Sequence, residues 1–261
     1  MADLAHLRFG EGSRTLILLH GFLGSARNLA SLARGLSERH PDLSVFALDL
    51  TGHGGSPPLP PGADLAVLAA DVLATVRSLR GRTPMIVVGH SLGGRVALRA
   101  TLLEPAAFAH VTLLDISPSG RPPGGETARV VEGLLGAPDV APDRNAFRAH
   151  FAAAGLTTAL TDWLLLNLVH EDGRYRWRVD RAALAQLHEH TAREDLWPAV
   201  GGTRTYRVTC VRGGRSPYVS EADARRLADA GGTVVTIPEA GHFLHVERPA
   251  DVLAALEDDV R

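Results

Sequence analysis

The sequence lacks several features that direct proteins to particular partners or compartments. It has a single cysteine, Cys210, so no internal disulfide can form, and we expect a reducing compartment such as the cytoplasm. It has no lysine: all 27 basic residues are arginine, and with 29 acidic residues they give a net charge of −2. Because no basic block stands out, nucleic acid is not an expected partner.

Long apolar runs and an amino-terminal leader are also missing. No stretch reaches about 18 consecutive apolar residues, so we expect no membrane-spanning helix. Residues 1–10 lack a basic region followed by an apolar one, so we expect no secretory signal there. Hydrophobic residues make up 45% and charged residues 21% of the 261 residues, which is typical of a folded globular protein.

Short apolar runs alternate with helical patterns through most of the chain. The predicted strands are residues 15–19, 45–49, 85–89, 111–115, 206–212 and 233–237, and helical patterns between them include 26–39, 64–79 and 92–103. This alternation predicts an α/β fold with a mostly parallel central sheet flanked by helices. Such sheets bind ligands at the carboxyl ends of their strands, so the loops after the strands are the candidate site.

The alternation breaks between residues 118 and 200. This stretch begins in a loop rich in turn formers at residues 117–125, and helical patterns follow at 144–154 and 160–169 with no obvious core strand. About 80 residues are far more than a usual connection between two strands needs. We therefore predict a helical cap at 118–200, inserted into a core domain formed by 1–117 and 201–261.

Residues 89–93 read Gly-His-Ser-Leu-Gly and fit the pattern G-x-S-x-G. The pattern is weak alone, but here it follows a predicted strand and precedes a predicted helix. A sharp turn between the two would push the Ser91 hydroxyl out above the sheet and leave the N–H of Leu92 free at the start of the helix. The setting predicts Ser91 as a nucleophile.

A second segment, His-Gly-Phe-Leu-Gly at residues 20–24, directly follows the first predicted core strand. An acyl-transfer site needs two hydrogen-bond donors aimed at the developing oxyanion. We predict the backbone N–H groups of Phe22 and Leu92 as that pair. His20 itself is expected to be a structural hydrogen-bonding residue rather than a catalyst.

A serine nucleophile needs an adjacent general base, and histidine titrates in the right range. Of the 12 histidines, His242 follows the last predicted strand, as the chain order nucleophile, acid, histidine requires. His245 is an alternative base, although it is expected within the following helix. His53 is expected to order a loop near the site.

These three motifs, in this order, resemble the α/β-hydrolase superfamily over nearly the whole chain. The resemblance implies the α/β-hydrolase fold and a reaction that needs no metal or organic cofactor; the serine disfavours the branches that use an aspartate nucleophile. Most members carry an aspartate after the strand equivalent to 206–212, but that position here is Ser216. Glu221 and Asp223 follow it, and Asp115, at the end of an earlier predicted strand, is the other candidate acid.

Within the superfamily, the sequence is similar to the bacterial YbfF-type esterases and their mitochondrial abhydrolase-domain relatives. In that branch an Asp-Ile-Ser/Ala-Pro element carries the acid, and a serine occupies the usual acid position. The similarity implies Asp115 as the acid and Ser216 as an auxiliary hydrogen-bonding residue, with Glu221 and Asp223 still open as alternatives. Residues 167–180 also resemble a segment of that branch.

The predicted cap offers candidate contacts with a substrate. Trp163, Leu164 and Leu168 could form an apolar wall around an acyl group. At residues 174–178, two aromatic residues alternate with three arginines, which would face opposite sides of an extended segment. These arginines could meet an anionic leaving group such as coenzyme A, but a solvated arginine face over packed aromatic rings is favoured.

The main hypothesis is a serine hydrolase that cleaves carboxylic esters or acyl thioesters through an acyl-enzyme on Ser91. A second hypothesis is a lyase of the menaquinone pathway, because those synthases share this fold and use a Ser-His pair for proton abstraction. A third is a ligand-binding protein without catalytic activity, since the fold does not fix the function.

Overall fold

The computed structural model describes residues 3–79, 83–121 and 124–261 of the chain. These residues contain ten strands in two sheets. In chain order the strands are β1 (His6–Phe9), β2 (Arg14–Leu19), β3 (Leu43–Leu48), β4 (Met85–His90), β5 (Phe108–Leu114), β6 (Val140–Ala141), β7 (Leu168–Glu171), β8 (Arg174–Trp177), β9 (Arg207–Gly213) and β10 (Thr233–Ile237).

Ten α-helices accompany these strands in the described residues. They are α1 (Ala30–Arg39), α2 (Leu65–Ser78), α3 (Leu92–Leu103), α4 (Gly125–Gly136), α5 (Arg144–Ala153), α6 (Thr158–Leu164), α7 (Arg181–Arg193), α8 (Glu221–Asp229), α9 (Leu244–Glu247) and α10 (Pro249–Val260). None of the helices in these ranges has the length and apolar content needed to cross a membrane.

The central sheet has seven strands in the order β1-β3-β2-β4-β5-β9-β10, and only β1 is antiparallel to its neighbour. All six predicted core strands are confirmed within a few residues. In five of them the residues are mostly buried because helices cover both faces of a parallel sheet, whereas the edge strand β10 has one buried residue of five. The edge strand β1 was not predicted, since it is short and three of its four residues are exposed.

Two apolar layers lie on opposite faces of this sheet. On one face, α2 and α3 pack through side chains that include Leu68, Val72 and Val96. On the other face, α1 and α10 pack through side chains that include Leu36 and Leu256. The predicted arrangement of a parallel sheet between helices is therefore confirmed.

The chain between β5 and β9, residues 118–200, is called the insert below. It contains α4 to α7 and a small antiparallel sheet, β6-β8-β7, that is separate from the central sheet and was not predicted. The helix predicted at 160–169 ends at Leu164, and the chain turns into β7 at Leu168. Pro122 and Pro123 of the predicted opening loop lie outside the described residues.

Arg95 of α3 ties both ends of the insert to the central sheet. Its guanidinium donates hydrogen bonds to the backbone carbonyls of Ser117 and Ser119, each 3.1 Å away, where the insert begins. It also donates to the carbonyls of Thr191, 3.0 Å away, and Glu194, where the insert returns. Burial lowers the pKa of Arg95 to about 10, so the side chain keeps its charge at neutral pH.

Candidate active site

Ser91 stands on a tight turn between β4 and α3, at the carboxyl edge of the central sheet. Its backbone is in the left-handed region, with φ of 51°. The turn needs glycine on both sides: a Cβ on Gly89 would lie 2.4 Å from the carbonyl carbon of Gly93, and one on Gly93 would lie 2.3 Å from the oxygen of Leu19. The turn therefore requires both glycines of the G-x-S-x-G pattern.

Positive φ angles outside glycine concentrate around this turn. Four such residues occur in the described ranges, and Leu23, Ser91 and Asp115 each follow a strand of the central sheet. Strained backbone of this kind clusters at functional sites, where surrounding structure holds it in place. This clustering marks the carboxyl edge of β2, β4 and β5 as the candidate site.

Asp115 and His242 lie in direct contact at this edge. Asp115 follows β5 and is fully buried, and its Oδ2 lies 2.7 Å from Nδ1 of His242. Its other carboxylate oxygen, Oδ1, accepts a hydrogen bond from the N–H of Gly213, 2.9 Å away. The contact with a carboxylate makes Nδ1 of His242 the protonated nitrogen and leaves Nε2 as an acceptor.

Ser216 also contacts this carboxylate, whereas the two alternative acids do not. The hydroxyl of Ser216 donates to Oδ2 of Asp115. Glu221 pairs with Arg212 at the surface, 2.6 Å away, and Asp223 forms an ion pair with Arg121. The structure thus brings Asp115, and neither alternative, to the ring of His242.

His20 holds the backbone of the loop after β2. The N–H of Leu50 donates to its Nε2 at 3.0 Å, so Nδ1 carries the proton and donates to the carbonyl of Gly21 at 2.8 Å. Burial lowers the pKa of His20 to about 4, which keeps the ring neutral. Because the C=O and N–H of one trans peptide point in opposite directions, the N–H of Phe22 points away from His20.

The other two histidines considered from the sequence lie elsewhere. His245 is buried in α9 and its ring packs 4.5 Å, centroid to centroid, from that of His90. His53 is buried, and its Nδ1 lies 3.1 Å from the backbone carbonyl of Thr51 in its own loop. Burial lowers the pKa of His53 to about 3 and that of His245 to about 4.

Two cavities meet at Ser91. The smaller, about 70 Å³, is lined by Ser91, His242 and apolar side chains that include Val130, Leu160 and Trp163. The larger, about 340 Å³, is lined by both ends of the insert and by side chains of α3; its residues include Ser91, Leu92, Arg95, Ile116, Ser117 and Thr191. Ser91 and His242 thus face one cavity, although no hydrogen bond between their side chains occurs within the described residues.

The predicted apolar wall needs one correction. Trp163 lines the smaller cavity as expected, but Leu164 and Leu168 are buried in the core and do not line it. Leu160 and Trp163, three residues apart on α6, share the face turned to the cavity, whereas Leu164 at the end of the helix is fully buried. Leu168 belongs to β7, where it pairs with Trp177.

The arginines at residues 174–178 lie away from Ser91. Arg174 and Arg176 line a separate open depression on the surface of the insert. Arg176 pairs there with Glu171, 2.9 Å away, while the alternating Trp177 is buried. This is the arrangement of a solvated arginine face over packed aromatic rings.

Two residues of the site were missed in the sequence. The ring of Tyr218 stacks on that of His242, with centroids 3.9 Å apart, and its hydroxyl lies 2.5 Å from Oγ1 of Thr127 in α4. His188 of α7 lines both cavities. Tyr218 could have been found from its position two residues after Ser216, which was itself predicted as a site residue. His188 lies on a helix of the insert, and no local pattern marks it.

Metal ligands are not gathered at this site. Within the described ranges, no group of three or more His, Cys, Asp or Glu side chains is arranged to hold a metal ion. The groups that the structure brings to the cavities are a serine hydroxyl, an imidazole in contact with a buried carboxylate, and backbone N–H groups.

Comparison with known proteins identifies the family to which this fold belongs. Residues 16–256 match the alpha/beta hydrolase family, and the chain belongs to that family. The mouse sn-1-specific diacylglycerol lipase ABHD11 is 29% identical over 94% of this chain and 81% of its own length. Lipase LipV of Mycobacterium tuberculosis is 31% identical over 97% of this chain and 96% of its own.

Two further proteins fit the same assignment. Esterase YbfF of Escherichia coli is 27% identical over 92% of this chain and 91% of its own length. A solved marine microorganism esterase has the same fold, with a TM-score of 0.88 at 22% identity over 99% of both chains. The family expected from the motifs is confirmed, and the chain is an α/β-hydrolase enzyme.

Proposed function

We propose that the protein is a serine hydrolase that cleaves carboxylic esters, and thioesters by the same chemistry, through an acyl-enzyme on Ser91. The observation that carries the proposal is the placement of His242, which contacts the buried carboxylate of Asp115 and faces the cavity of Ser91. The names of the relatives, which are lipases and esterases, support it.

In the acylation step, Nε2 of His242 takes the proton of the Ser91 hydroxyl, and Ser91 attacks the acyl carbonyl carbon. Asp115 holds His242 in the required tautomer and stabilises the imidazolium that forms. Serine–base hydrogen bonds are often loose without substrate and tighten as it binds, so the proton transfer requires Ser91 and His242 to approach in the complex. His242 then gives the proton to the leaving alcohol or thiol.

The developing oxyanion needs two donors close to Ser91. The N–H of Leu92 is one, because the first N–H groups of α3 have no partner inside the helix. The N–H of Phe22 is the other, since His20 holds the opposite side of that peptide. In the second half-reaction, His242 deprotonates a water molecule that attacks the acyl-enzyme and releases the acid.

We further propose that the insert acts as a cap over Ser91, with residues 1–117 and 201–261 as the core domain. Side chains of α4, α6 and α7 line the cavities at Ser91, which supports this role. Trp163 and Leu160 would contact an apolar substrate group. The surface position of Arg174 and Arg176 gives no support to their binding coenzyme A.

The test is hydrolysis of p-nitrophenyl esters from acetate to palmitate by the wild type and by Ser91→Ala. Turnover that vanishes in the variant, and labelling of Ser91 by a fluorophosphonate, are expected. A matched series of acyl-coenzyme A substrates tests the thioester half. A folded wild type that neither turns over an ester nor traps an acyl group would contradict the proposal and favour the lyase or the ligand-binding protein.

A further inference from the structure

His188 is the histidine of the insert that lies nearest to the proposed chemistry. It lies on α7 and lines both cavities that contain Ser91. Its ring packs on the ring of Phe22 with centroids 4.7 Å apart, and the backbone N–H of Phe22 is a proposed oxyanion donor. The side chain therefore lies beside the position that a substrate would occupy, yet the proposed mechanism gives it no role.

The imidazole of His188 has unused hydrogen-bonding capacity. Within the described part of the chain, no hydrogen bond or ion pair involves this side chain. Burial, with a smaller contribution from the positive charge of Arg95, lowers the pKa of His188 to about 4. The ring is thus neutral at pH 7 and offers one N–H donor and one acceptor nitrogen to a group in the cavity.

A hydroxyl group can pair with either nitrogen of the ring, because it can donate to the acceptor nitrogen or accept from the N–H. His188 borders both cavities, and His242, which lines the smaller one, connects that cavity with the leaving group. His242 must reach the oxygen of the leaving group to protonate it, and His242 lines the smaller cavity together with His188. The alcohol half would therefore lie on the side of the site where both histidines are found.

We propose that His188 is a specificity-determining residue that forms a hydrogen bond with a hydroxyl group on the alcohol half of the ester. The inference rests on the proposed function and extends it to a substrate class, esters of diols or polyols. A site built to bind a hydroxyl discriminates against the analogue that lacks it, since its own polar group then stays unpaired.

The test compares two esters of the same acid, 2-hydroxyethyl butyrate and propyl butyrate, in which a hydroxyl replaces a methyl group. We expect the wild type to show a higher kcat/KM for the hydroxyethyl ester, by about tenfold for one hydrogen bond to a neutral group. His188→Phe should remove this preference while it still cleaves p-nitrophenyl butyrate. His188→Gln, which keeps a donor and an acceptor, should keep a preference above that of the Phe variant.

His190→Phe is the matched control, because His190 lies on the same helix and is exposed. It should leave the preference unchanged. Equal rates for both esters in the wild type would overturn the inference. So would an equal loss of activity on both esters in His188→Phe and His188→Gln. In either case, cleavage of p-nitrophenyl butyrate by the wild type would leave the proposed function standing. A wild type that cleaves none of the three esters would overturn both.

Discussion

His90 and His242 are joined by a hydrogen bond that links the nucleophile turn to the loop of the proposed base. Nε2–H of His90 donates to the backbone carbonyl of His242 at 2.9 Å, and the two rings pack with centroids 4.7 Å apart. Burial lowers the pKa of His90 well below its ordinary value, so the ring is neutral at pH 7. Because His90 directly precedes Ser91, its ring fixes the distance between nucleophile and base.

Replacing His90 should therefore slow catalysis without weakening substrate binding. In His90→Phe the ring is kept but the donor is lost, and a displacement of His242 by about 1 Å can cost up to about 100-fold in rate. We expect kcat to fall about 10- to 100-fold with KM little changed, and His90→Gln, which keeps a donor, to recover part of the loss. Steady-state kinetics on a p-nitrophenyl ester measure both parameters.

His245→Phe is the control for this prediction. The ring of His245 packs on that of His90 in the same cluster, but its Nδ1 has no hydrogen-bond partner within the described residues. The control should keep most of the activity. An equal fall of kcat in the two Phe variants would show that ring packing, and not the bond to His242, is what matters.

The contacts of Asp115 predict a ranking of two substitutions. Asp115→Asn removes the charge that holds the His242 tautomer and should lower kcat by about 10⁴-fold, as in other serine triads. Ser216→Ala removes one of several hydrogen bonds to the same carboxylate and should cost less than about tenfold. The measurement is kcat of both variants on one ester. The reverse ranking would exclude Asp115 as the acid and make Ser216 the more important group.

The central sheet could be predicted from the sequence because strands buried on both faces read as continuous apolar runs. Ser91 could also be predicted from the sequence, because close backbone contacts leave no room for a Cβ on the glycines around it. Asp115 is different: only the resemblance to one branch distinguished it from Glu221 and Asp223. Its separation from His242 by 127 residues gives no local signal.

The insert was less predictable for physical reasons. Its strands β6, β7 and β8 have two to four residues each, too short for a period of two to be recognised. Leu164 and Trp163 are adjacent and both apolar, so the sequence alone does not separate the core face of α6 from its cavity face. His188 becomes a site residue only because α7 folds back over Ser91.

Arg95 predicts how strongly the insert is held to the core. Its four hydrogen bonds to backbone carbonyls come from a charged donor, and two of them are buried and two part-buried. Arg95→Met leaves these carbonyls without that partner. With a cost of about 1–3 kcal/mol for a buried group left without a partner, we expect a loss of at least about 3 kcal/mol in the free energy of unfolding. Urea denaturation measures this loss.

Arg99→Met is the matched control, since Arg99 lies one turn further along α3 and is only half-buried. Its ion pair with the Glu194 carboxylate, 3.3 Å away, should contribute no more than about 1 kcal/mol. If Arg95→Met were no more destabilising than Arg99→Met, the bonds of Arg95 would not be what holds the insert.

Buried neutral histidines predict a loss of stability in mild acid. The folded-state pKa is about 4 for His20 and His245 and about 3 for His53, whereas an unfolded histidine titrates near 6.5. Between pH 6.5 and about 4 the unfolded chain therefore binds protons that the folded chain does not. As the pH is lowered through this window, the free energy of unfolding should decrease by about 1.4 kcal/mol per pH unit for each such group. Tm should therefore be lower at pH 5 than at pH 7.

A pair of substitutions separates this effect from general acid denaturation. His245→Phe removes one proton-binding site of the unfolded chain and should flatten the dependence of the unfolding free energy on pH. His170→Phe, which removes an exposed histidine, is the control variant. Urea denaturation at several pH values between 7 and 5 measures each slope. Equal slopes in the wild type and His245→Phe would mean that His245 binds its proton as readily in the folded protein as in the unfolded chain.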